Sequence, residues 1–182
     1  EGYQSVDHFL ADIGAADVDY VLQWSSSMGI ENKAGFRCHI FMQLDKPVRP
    51  QQLKNWLQDL NLSRPTLSGQ LQLTKTGNSL RWPLDITTCQ NDKLLYIAPP
   101  IFNNGTKDPF KNGRLGQRIQ HVKKRIDVLN ITNTITSTTE NRKREQEKIN
   151  ELRELAGMPE RKYTYKMYGA TEVLLKPDSS II

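Results

Sequence analysis

Residues 36–44, "FRCHIFMQL", decide how this chain is read. Phe36, Cys38, Ile40, Met42 and Leu44 alternate with Arg37, His39, Phe41 and Gln43. A period of two is the signature of a β-strand with one face buried. Such a strand anchors its apolar face in a core and carries Arg37 and His39 on the other. At a rise of about 3.3 Å per residue the two side chains stand roughly 7 Å apart, a spacing that suits adjacent phosphates of one nucleotide. Arginine binds phosphate oxygens through a two-pronged fork, and histidine donates a hydrogen bond to a nonbridging oxygen.

The loop that feeds this strand, "SSSMGIENKAG" at 25–35, supplies compatible parts. Ser25, Ser26 and Ser27 bring hydroxyls, Gly29 and Gly35 permit close backbone approach, and Lys33 adds charge, so loop and strand together could cradle a triphosphate. A serine-rich loop is also an ordinary solvated turn, and a strand histidine is often held structurally. The convergence of hydroxyls, glycines, Lys33, Arg37 and His39 within fifteen residues favours a ligand.

Further towards the N-terminus, Val18, Tyr20, Leu22 and Trp24 alternate as a second strand. Val6, Phe9, Leu10 and Ile13 follow Ser5 at helical spacing and stop at Gly14, which predicts a helix over 5–14. On the other side, Pro47 and Pro50 break the chain. Leu53, Trp56, Leu57 and Leu60 then predict a helix of about three turns. Leu71 and Leu73, then Leu80, Trp82 and Leu84, alternate around "KTGN", a hairpin signal. "KLLYIAPP" predicts another strand, and 101–113 a polar loop.

Leu115, Ile119, Val122, Ile126 and Leu129 keep the spacing of one helical stripe, with Arg114, Arg118, Lys123, Lys124 and Arg125 on the remaining faces. That basic surface suits the phosphates of a template strand, and equally an ordinary solvated helix face. Residues 132–139 read as a linker and 140–156 as a charged helix with a narrow stripe of Ile149, Leu152 and Leu155, lying on the surface or leaving the body. The expected class is α+β, a mixed or antiparallel sheet flanked by helices. A core over 1–130 is followed over 131–182 by a helical appendage and a connector towards a following domain.

With 182 residues, 37% of them hydrophobic, the chain can bury one sizeable core. No apolar run approaches the roughly 20 residues of a membrane span. The net charge of +5 favours an anionic partner. Cys38 and Cys89 fall in expected strands without CxxC spacing, pointing to a reduced, cytoplasmic protein without structural zinc. The start at Glu1 reads as a piece of a longer protein.

Nucleotidyl transfer with two metals needs carboxylates. Asp85 in "RWPLDITT", at the expected end of a strand, is the best placed. Asp17 and Asp19 in "AADVDY" put two carboxylates on one strand face, although a solvated turn is the simpler account of them.

Taken in order, "QWSSSMGIENKAGFRCHIFMQLDKPV" and "WPLDITTCQNDKLLYIAPPIFNNGTKDPF" resemble the primase-polymerase domain of the archaeo-eukaryotic primase superfamily. The nearest likeness is to versions in phage and mobile-element replication proteins, and it covers about residues 15–115. The resemblance implies an RRM-like catalytic sheet and DNA primase/polymerase activity on a single-stranded DNA template, with NTP or dNTP as substrate. It further implies two Mg2+ or Mn2+ ions, a helicase domain in the same polypeptide and the cytoplasm of a bacterial host.

Residue by residue, "RCH" would place His39 on the incoming nucleotide's phosphates, and "PLD" would make Asp85 a metal ligand. Lys33 and Arg37 look like further phosphate contacts, with Ser26 or Ser27 touching the nucleotide. The family's first motif, an acidic pair, would lie just before Glu1. Two other classes stay open: a non-catalytic single-stranded DNA-binding or origin-recognition module, and a rolling-circle endonuclease. The endonuclease typically needs two histidines flanking a hydrophobic residue, where "HIF" offers one.

Overall fold

Leu22, at the middle of the 18–24 alternation, sits in the central strand of the molecule. The computed structural model describes residues 3–30, 36–90, 92–95, 97–103, 105–111, 116–131 and 137–161, with the backbone of two strands beyond. The elements are α1 (Val6–Asp12), β1 (Tyr20–Trp24), β2 (Cys38–Phe41), α2 (Pro50–Ser63), α3 (Pro65–Ser68), β3 (Gln72–Leu73), β4 (Leu80–Arg81), a 3-10 turn (Ile86–Cys89), β5 (Ile119–Val122), α4 (Thr138–Leu155), β6 (Thr164–Tyr168) and β7 (Thr171–Leu175). The class is α+β with small antiparallel sheets.

β1 lies between β2 and β5, antiparallel to both. Opposed residues share a face, so the registers sort the side chains. Trp24 faces Cys38, Leu22 faces Ile40 and Gln120, and Tyr20 faces Val122 on one side. Gln23 faces His39 and Ile119, and Val21 faces Phe41 and His121, on the other. The apolar members of the first set pack with Leu10 of α1 and Trp56, Leu57 and Leu60 of α2 in the main core. The reading of "FRCHIFMQL" holds at Cys38, Ile40, Met42 and Leu44, all packed against that core; Phe36 instead stays exposed beside Trp24, with ring centroids 5.9 Å apart. Burial pushes the Cys38 thiol up to about 11, the behaviour of a core cysteine and not of a nucleophile.

The helices begin where their capping residues place them. The Ser5 hydroxyl accepts from the His8 amide at 3.0 Å, and the Ser137 hydroxyl from the Glu140 amide at 3.1 Å. Pro50 opens α2, where a missing amide hydrogen costs nothing. α4 does not leave the body. Arg144 pairs with Asp59 of α2 at 2.6 Å, Asn141 donates to the Asn55 carbonyl at 2.8 Å, and Ile149 is buried with Leu71 and Leu80. The β3–β4 hairpin turns at Gly77, φ +70°, where a Cβ would also meet Arg153 Nη1 and Met158 Sδ at 3.0 Å.

Three expectations are corrected. The helix predicted from Leu115 to Leu129 does not form over its described residues: 119–122 pair with the second edge of β1, and Ile126 and Leu129 make isolated parallel bridges to Val18 and Leu44. An open strand edge needs partners for its amides and carbonyls, and that tertiary demand overrides a helical spacing of apolar residues. The strand expected over 36–44 pairs with β1 only as far as Phe41; Gln43 and Asp45 then pair with Leu129. "KLLYIAPP" is not a strand among its described residues, where Leu94 and Ile97 stand 76% and 67% exposed. Among the described residues no helix is long and apolar enough to cross a membrane.

Candidate phosphate-binding face

The ladder of β1 and β2 runs on past both strands, since the Ser25 amide donates to the Arg37 carbonyl at 2.8 Å. Arg37 therefore shares the outward face with His39, while the serine loop folds back over it. Arg37 Nη1 donates to the Ser27 hydroxyl at 3.1 Å, and the Ser25 and Ser27 hydroxyls lie 3.3 Å apart. Successive turns shape the loop, with the Met28 amide on the Ser25 carbonyl, and Gly29 holds φ +78°, a conformation L side chains rarely adopt. Ser26 is exposed at the loop surface. Lys33 and Gly35 lie outside the described residues.

His39 sits opposite Gln23 and edge-on to Phe41, ring centroids 6.1 Å apart. Its Nδ1 is buried and finds no hydrogen-bond partner among the described residues. A buried polar atom without a partner costs stability. Gln23 is buried on this outward face because the chain at Ile97 crosses it, and Gln23 Nε2 donates to the Ile97 carbonyl at 3.1 Å.

Asp85 is placed differently from its expectation. It ends no strand of the three-stranded sheet but caps the 3-10 turn, accepting from the Thr87 amide at 2.8 Å and hydroxyl at 2.7 Å. The preceding Leu84 backbone is clamped by the buried Asn61 of α2 at 3.0 and 2.9 Å. Burial alone would raise the Asp85 carboxyl, but the Thr87 hydrogen bonds and the Lys93 ammonium, 3.4 Å from Oδ2, hold it below the usual range. Ile86 enters the core cluster, from which His39 faces away, and among the described residues no hydrogen bond or ion pair joins Asp85 to His39.

Asp19 is engaged too: Lys123 Nζ and the Lys124 amide each lie 2.6 Å from its oxygens, and the Lys123 bond leads in lowering its carboxyl. Among the described residues no three His, Cys, Asp or Glu side chains group as a metal site. Asp85, already holding Thr87 and Lys93, does not by itself fit a two-metal centre.

The basic residues expected on a helix are dispersed. Arg114 lies outside the described residues. Lys123 pairs with Asp19 and Lys124 Nζ with Asp7 at 3.1 Å. Arg118 turns inwards: its guanidinium donates to the Ser25 carbonyl at 2.7 Å and the Trp24 carbonyl at 3.4 Å, pairs with Asp108 at 2.7 Å, and lies 4.2 Å from the Phe110 ring centroid. It supports the serine loop from behind.

Sequence reasoning missed Gln23 and His121 on the outward face. The β1 alternation carried the signal for Gln23; His121 was hidden by the helical spacing around it. No protein-family model, curated protein or solved structure matches the chain.

Proposed function

We propose that this chain is the nucleotide-facing part of a DNA primase-polymerase that extends strands on a single-stranded template. The junction of loop and strand carries the reading: Arg37 holds the Ser27 hydroxyl at 3.1 Å on the same outward face as His39. A triphosphate along that edge meets a guanidinium fork, a hydroxyl and an imidazole in succession. Donors fixed before the reaction stabilise charge that develops on the phosphoryl oxygens. In the reaction, a 3′-hydroxyl attacks the α-phosphorus and releases its proton to solvent, the phosphodiester bond forms as the bond from the α-phosphorus to the bridging oxygen breaks, and pyrophosphate leaves with the negative charge that Arg37 and His39 face. An RRM-like core, a helicase domain in the same polypeptide and a bacterial cytoplasmic setting belong to the same proposal.

The test is nucleotide incorporation on a primed single-stranded template by the full gene product. His39→Ala is expected to lower turnover by about 100-fold or more, with the circular dichroism spectrum unchanged. Unchanged incorporation would overturn the reading. A second reading, a single-stranded DNA-binding module without chemistry, is favoured by the engagement of Asp85 away from His39. It predicts a wild-type protein that binds template and incorporates nothing.

A further inference from the structure

The segment that crosses β1 at Ile97 continues into a cavity of about 410 Å³, lined by Pro100, Phe102, Thr106, Lys107, Asp108 and Lys111. Its volume falls in the range of small-ligand sites, about 300–1,000 Å³. The carboxylate of the cavity is already neutralised. Asp108 Oδ1 lies 2.7 Å from Arg118 Nη2 and accepts from the Phe110 amide at 2.9 Å, contacts that hold the Asp108 carboxyl below the usual range.

Lys107 and Lys111 are exposed, and neither makes an ion pair among the described residues. With Asp108 and Arg118 cancelling, the two ammonium groups leave the cavity positive. Phe102 contributes an aromatic ring to the wall, steadied by Arg118 at 5.7 Å from its centroid. A ring for a base and free cations for the flanking phosphates are the two components of sequence-tolerant single-strand binding. Charge complementarity and the aromatic wall together point to a polyanion with π-faces.

We propose that this cavity is a second nucleic-acid contact. It seats one nucleotide of single-stranded DNA, with the base against Phe102 and the neighbouring phosphates on Lys107 and Lys111. Arg118 fixes its relation to the phosphate-binding face, because one guanidinium holds both Asp108 of the cavity and the Ser25 carbonyl of the serine loop. The inference rests on the template-binding part of the function proposed above and moves that contact from the expected basic helix to the residues that line this cavity.

The experiment follows fluorescence anisotropy of a labelled oligothymidylate with the full gene product, without nucleotide or divalent metal, over a salt series. Each phosphate neutralised on a single strand contributes about 0.7 to the slope of log K against log salt. The double variant Lys107→Gln, Lys111→Gln is therefore expected to lose about 1.4 of that slope. Phe102→Leu, which keeps an apolar side chain against Arg118, is expected to bind at least about fivefold more weakly. The exposed pair Lys46→Gln, Lys75→Gln serves as the control and keeps the wild-type slope.

Cavity variants that behave like the control overturn the inference while leaving the nucleotide reading intact. An oligothymidylate contact that depends on Phe102, Lys107 and Lys111 in a protein that incorporates no nucleotide upholds the inference and removes the catalytic reading. A wild-type protein that does not bind oligothymidylate at all removes both.

Discussion

The two faces of the three-stranded sheet share the same backbone hydrogen bonds and differ only in what covers them. Tyr20, Leu22, Ile40 and Val122 meet α1 and α2, whereas among the described residues Val21, His39, Phe41 and Ile119 meet solvent or the crossing at Ile97. Leu22 keeps 3% of its surface exposed and Ile119, one strand away on the opposite face, 41%. Stability is thereby concentrated on one side. Because alternate residues point to opposite faces, Arg37 and His39 can be chosen for recognition while Cys38 and Ile40, one residue away, hold the strand in place.

The strongest way to break this contrast is Leu22→Ala. Emptying a closed part of the core is expected to cost about 2–5 kcal/mol, read as a lower denaturant midpoint at unchanged slope. Ile119→Thr, on the other face, is expected to stay within about 0.5 kcal/mol. Equal losses would mean that both faces carry the fold.

Arg118→Ala comes next, because it removes the group that ties the serine loop to Asp108 and leaves one carboxylate oxygen and two carbonyls short of a donor. A loss of about 1–3 kcal/mol is expected in thermal melts. Arg118→Lys should recover only part of it, since one ammonium cannot reproduce the guanidinium fork.

The smallest effect per group is acid sensitivity. Asp19, Asp108 and Asp85 are all lowered: Asp19 chiefly by Lys123, Asp108 chiefly by the Phe110 amide, and Asp85 by Thr87 and Lys93 against the opposing pull of burial. Folded values below the unfolded one, about 3.9, mean that their stabilisation is fully present above that value and lost as pH falls through the folded values. The melting temperature is expected to be flat from about pH 7 to 5 and to fall below about pH 4. Asp108→Asn should flatten part of that fall.

What could be read locally was read well. α1, α2, α4 and the β3–β4 hairpin carry their own caps, prolines or turn residues, and the faces of β1 and β2 follow from alternation, so each is written within a dozen or so neighbouring residues. Of the candidate site, Arg37, His39 and the serine loop were legible for the same reason. β5 was not, because Ile119 and Val122 fit a helical stripe as well as a strand, and the free edge of β1 lies a hundred residues away in sequence. Asp85 was legible as a fixed carboxylate but not as a turn cap, since the Asn61 clamp and the Lys93 ammonium come from other segments.

The sequence by itself determined that this chain has a strand with an apolar anchor on one side and Arg37 and His39 on the other, because a period of two allows no other sorting. Only the tertiary structure decided which cations remain available. Arg118, Lys123 and Lys124 fold onto carboxylates that no short-range pattern reveals, while Lys107 and Lys111 make no ion pair among the described residues and stand beside an aromatic ring. Charge is written in residues one at a time, but whether a charge is cancelled depends on what the fold brings within a few ångströms of it.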